Sequence, residues 1–98
     1  MTINKLTEGT RLTVALGGRM YTNTAPMLDA ELKASLPGIE ELVLDFAQLS
    51  YLSSAGLRVL LGAQKTMSRQ GTMILKNVSK AIMDVFEITG FVNILTIQ

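Results

Sequence analysis

Residues Glu41 to Arg69 read ELVLDFAQLSYLSSAGLRVLLGAQKTMSR, and this stretch decides the fold. Leu42-Val43-Leu44-Asp45-Phe46 is a short apolar run of strand length. Leu57, Leu60, Leu61 and Met67 then recur at spacings that fit one face of a helix. Between them lies Tyr51-Leu52-Ser53-Ser54-Ala55-Gly56, which puts two hydroxyls at the expected helix start. A helix N-terminus carries free N–H groups and partial positive charge. It can hold a capping serine, a bound anion or a serine that becomes phosphorylated. Ser53 is the better cap, which leaves Ser54 in the first turn with its side chain free.

Working outward, Leu12, Val14 and Leu16 alternate with Thr13 and Ala15, as a half-buried strand does. Ile3 to Leu6 reads as a strand before it, and Glu8-Gly9-Thr10 suits the hairpin between them. Gly17-Gly18 is expected to end the second strand. Asn23 or Thr24 can cap a helix with Pro26 in its early turn and Ala25, Leu28, Leu32 and Leu36 on one side. Pro37-Gly38 stops it. After the central strand and helix, Gly71 is a break and Thr72 to Lys76 a further strand. Ser79 can cap a third helix carrying Ile82, Val85 and Phe86, closed by Gly90. Ile94 to Ile97 reads as a last strand.

The resulting order, β-β-α-β-α-β-α-β, predicts an α/β fold with a mixed, mainly parallel sheet and helices packed on it. Asp45 and the Ser53-Ser54 loop are then expected at the C-terminal end of a strand, where open α/β sheets usually place their sites. Asp45 is assigned a cap or turn role.

Composition narrows the chemistry. Ninety-eight residues predict one domain, able to bury roughly 65% of its unfolded surface. Hydrophobic content of 48% favours a compact fold, and a net charge of +1 supplies no footprint for nucleic acid. The chain has no Cys and no His, so thiolate chemistry is excluded and the usual general base and metal ligand are missing. Neither G-x-x-x-x-G-K-[ST] nor G-x-G-x-x-G occurs, so Gly17-Gly18 is read as a turn and not a phosphate loop. Glu40-Glu41 reads as a solvated pair. No nucleophile has a base beside it, so no enzyme is expected, and neither a cofactor nor a metal. MTINKLTEGTR lacks a signal-peptide core, and no run approaches the ~18 apolar residues of a membrane span. The expectation is a cytoplasmic protein, without membrane insertion, that is bound or acted upon.

The segment LVLDFAQLSYLSSAGLRVLL, with GRMYTNTAPMLDAEL before it and VFEITGFVNILTI after it, resembles the STAS domain. The similarity runs over essentially the whole chain and is strongest toward bacterial anti-sigma factor antagonists. This resemblance implies a small switch protein that binds an anti-sigma factor, itself a serine kinase of the GHKL type, and so releases a sigma factor. Phosphorylation of one serine at the start of the second helix would abolish binding, and a serine phosphatase would restore it. The family's strongest form there is Asp-Ser-Ser/Thr-Gly. Aligning its glycine with Gly56 puts the phosphoacceptor on Ser54, with Ser53 at the acidic position and Ala55 at the second hydroxyl. The family segment Gly-x-Leu-Asp reads Gly18-Arg19-Met20-Tyr21 here, so that acidic position is replaced as well. The expected partner face comprises Ser53, Ser54, Gly56, Arg58 and the loop Tyr21, Thr22, Asn23 and Thr24. The alternative is a STAS interaction subunit, not phosphorylated, of a lipid-transport or stress-signalling complex.

Overall fold

The computed structural model describes residues 1–98. Its elements are β1 (Thr2–Glu8), β2 (Arg11–Met20), α1 (Ala25–Ser35), β3 (Glu41–Leu52), α2 (Ser54–Ser68), β4 (Thr72–Lys76) and α3 (Lys80–Thr89). The four strands form one sheet in the order β1-β2-β3-β4. The β1/β2 hairpin is antiparallel, whereas β2/β3 and β3/β4 are parallel. The mixed α/β architecture is the one the pattern implied.

One face of β2, β3 and β4 supplies the core, with Ile3 of β1 packed against it. Leu12, Val14 and Leu16 of β2, Leu42, Leu44 and Phe46 of β3, and Met73 and Leu75 of β4 belong to one cluster of 23 buried residues. The inward faces of all three helices join it: Leu28 and Leu32, then Leu57, Leu60, Ala63 and Met67, then Ile82 and Phe86. Along α2 the buried place is taken by Ala63, while Leu61 is half-buried. Burial at about 25 cal/mol per Å² of apolar surface makes this cluster the dominant favourable term.

Four features differ from the sequence reading. First, β2 does not stop at Gly17-Gly18. It continues to Met20, and register shifts between Ala15 and Gly17 and between Gly18 and Arg19 carry it past the glycines. Second, β3 runs twelve residues and takes in Tyr51 and Leu52, so Asp45 lies in the middle of the strand and not at its end. Its extra length is paired to the extension of β2, through Arg19↔Tyr51 and Met20↔Leu52. Third, α2 ends at Ser68 and does not run on to the Gly71 break. Fourth, Ile94 to Ile97 is not a strand. Phe91–Asn93 is a 3-10 turn, and the following chain makes a single parallel bridge, Leu75↔Ile97. Two hydrogen bonds hold that bridge, Leu75 N–H to Thr96 O and Gln98 N–H to Leu75 O, both 2.9 Å.

The passage from α2 to β4 depends on Gly71. A Cβ there would overlap the Glu40 backbone, lying 2.6 Å from its carbonyl carbon and 2.9 Å from its Cα. The close approach allows Thr72 N–H to donate to Glu40 O at 2.9 Å, which begins the β3/β4 pairing. Because the obstructing atoms are backbone, they cannot swing aside. Gly71→Ala is therefore expected to lower stability by about 2 kcal/mol, in the range of overpacking. Denaturant unfolding checks this, and a change within about 0.5 kcal/mol would show that the strand start can shift freely.

Candidate functional site

The sequence-derived site falls at the C-terminal ends of β2 and β3. Leu52 ends β3 and Ser53 turns the chain, with φ −99° and ψ 178°. Helix α2 then starts at Ser54. Ser53 N–H donates to Met20 O at 2.9 Å, and Ser53 O accepts from Leu57 N–H at 3.0 Å. The first bond ties the start of α2 to the end of β2. The second is the first intrahelical bond of the capped turn.

Gly56 makes this close seating possible. It is buried, and a Cβ would strike Leu52 Cδ1 while lying 3.0 Å from Met20 Sδ and 3.1 Å from Met20 Cγ. The first turn thus rests directly on the last core residues of the two strands. Ser54 is exposed in that turn, and Arg58, one turn on, is exposed too. Neither makes a side-chain hydrogen bond or ion pair to another residue. The first turn of α2 contains no acidic residue.

The Tyr21–Thr24 loop lies next to this helix start through Met20. It is closed on itself: Tyr21 N–H donates to Thr24 Oγ1 at 3.0 Å, and Ala25 N–H to Tyr21 O at 2.7 Å. Thr24 Oγ1 donates in turn to Arg19 O at 2.7 Å. Thr24, not Asn23, is the N-cap residue of α1, but its hydroxyl serves this turn and not the helix N–H groups. Thr22 and Asn23 are exposed at the loop tip, and Tyr21 is half-buried. Ser53, Ser54, Gly56, Tyr21, Thr22, Asn23 and Thr24 therefore gather around the Ser53–Met20 bond, with Arg58 a turn along α2.

Two further residues stand there that sequence reasoning passed over. Arg19 and Tyr51 are cross-strand partners, and the guanidinium sits 4.5 Å from the centre of the Tyr51 ring. Only the extended β2/β3 pairing brings them together, and the glycines in β2 concealed that extension.

Ser53 caps α2 by its backbone alone. Its Oγ is buried and has no hydrogen-bond partner. A conventional N-cap serine loses about 1 kcal/mol on truncation. Here Ser53→Ala removes an unpaired buried hydroxyl, so thermal unfolding should show Tm unchanged or slightly raised. A drop matching the conventional cap would mean that the hydroxyl is bonded in solution.

Asp45 has the turn role assigned to it, although at mid-strand. Oδ1 accepts from Asn77 Nδ2 at 3.0 Å and from Ala47 N–H at 2.9 Å. Asn77, with φ 58°, follows β4, so the carboxylate pins the β4–α3 turn to β3. The Asn77 and Ala47 bonds hold the Asp45 carboxyl below its ordinary value against the opposing effect of burial, with a lesser contribution from the charge of Lys76. A depressed folded pKa stabilises above the unfolded value and is lost as pH falls through the folded one. Asp45→Ala should therefore cost about 1 kcal/mol near neutrality. The gap from wild type should shrink progressively below about pH 4. Melting temperatures across pH check it, and a constant gap would assign the loss to packing.

No group of His, Cys, Asp and Glu side chains has the geometry to hold a metal ion. No helix is long and apolar enough to cross a membrane.

Comparison with known proteins defines the class: a STAS domain, whose family model matches residues 2–98. The chain belongs to the STAS domain family. It is 39% identical over 88 residues to BtrV of Bordetella bronchiseptica, a candidate anti-sigma factor antagonist, covering 88% of this chain and 76% of that one. It is 30% identical over 86 residues to the anti-sigma-B factor antagonist of Bacillus subtilis, covering 87% and 79%. Among solved structures, the anti-sigma factor antagonist SpoIIAA in its unphosphorylated form superposes with a TM-score of 0.77 at 17% identity, over 99% of this chain and 87% of that one. A candidate antagonist from Thermotoga maritima superposes with a TM-score of 0.89 at 14% identity, over 97% and 84%. At these identities the two structures bear on the fold alone.

Proposed function

We propose that this protein is an anti-sigma factor antagonist. It binds an anti-sigma factor that is also a GHKL-type serine kinase, displaces the sigma factor, and is switched off by phosphorylation of Ser54. A serine phosphatase resets it. The observation that carries this reading is the exposed, unpartnered Ser54 hydroxyl in the first turn of α2, beside the Tyr21–Thr24 loop. The relatives named as antagonists support the partner class. SpoIIAA, of the same fold, has been solved in both phosphorylated and unphosphorylated forms, which supports the switch.

The physics of the switch follows from position. A phosphoserine adds about −1.5 to −2 charges. At a helix N-terminus with no acidic residue in its first turn, that charge is favourable within the domain. The fold therefore survives and the cost falls on the interface. A loss of about 3 kcal/mol there weakens binding more than 100-fold.

The experiment uses the purified anti-sigma factors encoded in the source genome. Each is titrated with wild type and with Ser54→Asp, and each is incubated with wild type and ATP, the phosphate being located by mass spectrometry. The expected result is binding by wild type, about tenfold or greater weakening in folded Ser54→Asp, and phosphate on Ser54. Tight binding by Ser54→Asp with no phosphate incorporated would place the protein with unswitched STAS interaction subunits. Absence of binding to every anti-sigma factor would overturn the antagonist reading.

A further inference from the structure

The Arg19–Tyr51–Tyr21 cluster has no part in the core and no assigned role. Met20 and Leu52 point into the core, so strand alternation puts their paired neighbours Arg19 and Tyr51 on the outer face. The Arg19 guanidinium lies 4.5 Å from the Tyr51 ring centre and 5.9 Å from that of Tyr21. Both distances are within cation–π range. The backbone around Arg19 is fixed from both sides: Gly18 O accepts from Ser50 Oγ at 2.9 Å, and Arg19 O accepts from Thr24 Oγ1 at 2.7 Å.

The charge on this group is unanswered. Arg19 forms none of the ion pairs of the protein, which are Lys5–Glu31, Arg11–Glu41, Lys33–Asp29 and Lys80–Asp84. No Asp or Glu occurs from residue 12 to 28 or from 46 to 83, the stretches that build this end of the sheet. Tyr51 meanwhile remains 42% exposed, a large aromatic surface left to solvent. Exposed tyrosine flanking a held arginine is the composition of a binding hot spot. A guanidinium fixed by stacking loses little freedom on binding, and its fork matches a carboxylate bidentately.

We propose that Arg19, held by Tyr51 and Tyr21, is the receptor for an Asp or Glu side chain on the protein partner. The partner surface facing this end of the sheet is therefore acidic. The partner's identity rests on the antagonist reading above; the carboxylate chemistry rests on the Arg19 site itself. Ser53 N–H is bonded to Met20 O, between Arg19 and Tyr21, so the Ser54 turn and the Arg19 cluster lie at the same strand ends, α2 on the inner face of the sheet and the cluster on the outer. With a net charge of only +1, the chain offers no extended basic surface of the kind a nucleic acid needs.

The test titrates the anti-sigma factors of the source genome with wild type, Arg19→Ala, Arg19→Lys and Tyr51→Leu, at about 50 and about 300 mM salt. Circular dichroism confirms folding, which these exposed positions should not disturb. If Arg19→Ala should unfold, Arg19→Gln, which keeps the apolar stem, carries the same measurement. Expected are losses of about 30-fold for Arg19→Ala and about 10-fold for Tyr51→Leu, a partial loss for Arg19→Lys, and a shallower salt dependence in Arg19→Ala. An acid→Lys substitution in the bound anti-sigma factor should restore binding to Arg19→Glu. If wild type binds and Arg19→Ala matches it in affinity and salt dependence, the receptor is overturned while the antagonist reading stands. If wild type binds no anti-sigma factor, the antagonist reading fails and the receptor for that partner fails with it.

Discussion

The burial of β3 at the centre of the sheet is the constraint on which the rest depends. Leu42, Val43, Leu44 and Phe46 are each at most 2% exposed, and Leu49 and Leu52 at most 5%. A strand buried so completely must satisfy its backbone through neighbours on both sides. It does so with β2 along most of its length and with β4 over Glu41 to Asp45. Where β4 ends, Asp45 turns its carboxylate to Ala47 and Asn77 and fastens the next turn to the strand.

Beyond that point β3 keeps only β2 as a partner, and the two strands extend together past the bulges to Met20 and Leu52. This extension converts a core element into a platform for the site. Its inward residues, Met20 and Leu52, form the seat on which Gly56 places α2. Its outward residues, Arg19 and Tyr51, form the exposed cluster. One two-strand segment thus sets the position of the Ser54 turn through its inward face and holds the Arg19 charge on its outward one. A serine in a first turn costs the helix little, which lets it remain exposed without destabilising the core.

Ser53 and Tyr21, which the resemblance sets at acidic positions, are uncharged here. Ser53 caps through its backbone with its hydroxyl unpaired, so the helix start gains no negative group from it. Tyr21 places its ring 5.9 Å from the Arg19 guanidinium. The helix N-terminus, Arg19 and Arg58 all carry positive charge, and no Asp or Glu occurs from residue 12 to 28 or from 46 to 83.

The sequence by itself determined what local physics controls. The strand-then-helix change of period at residues 42 to 67, the Ser79 cap, which accepts from Ile82 N–H at 3.3 Å, and the left-handed Gly90 stop were all legible because each acts within a few residues. So was the first-turn position of Ser54. Tertiary structure decided what depends on pairing between distant segments. Gly17-Gly18 looked like a strand end, since a lone strand with two glycines has little reason to continue; the register with β3 carries it on. Tyr51 looked like a loop residue until β2 supplied its partner. Ile94 to Ile97 has strand-forming side chains but, after the turn at Phe91–Asn93, meets the sheet at the single bridge Leu75↔Ile97. Propensity acts along the chain, whereas strand length and the Arg19–Tyr51 contact are fixed by hydrogen bonds across it.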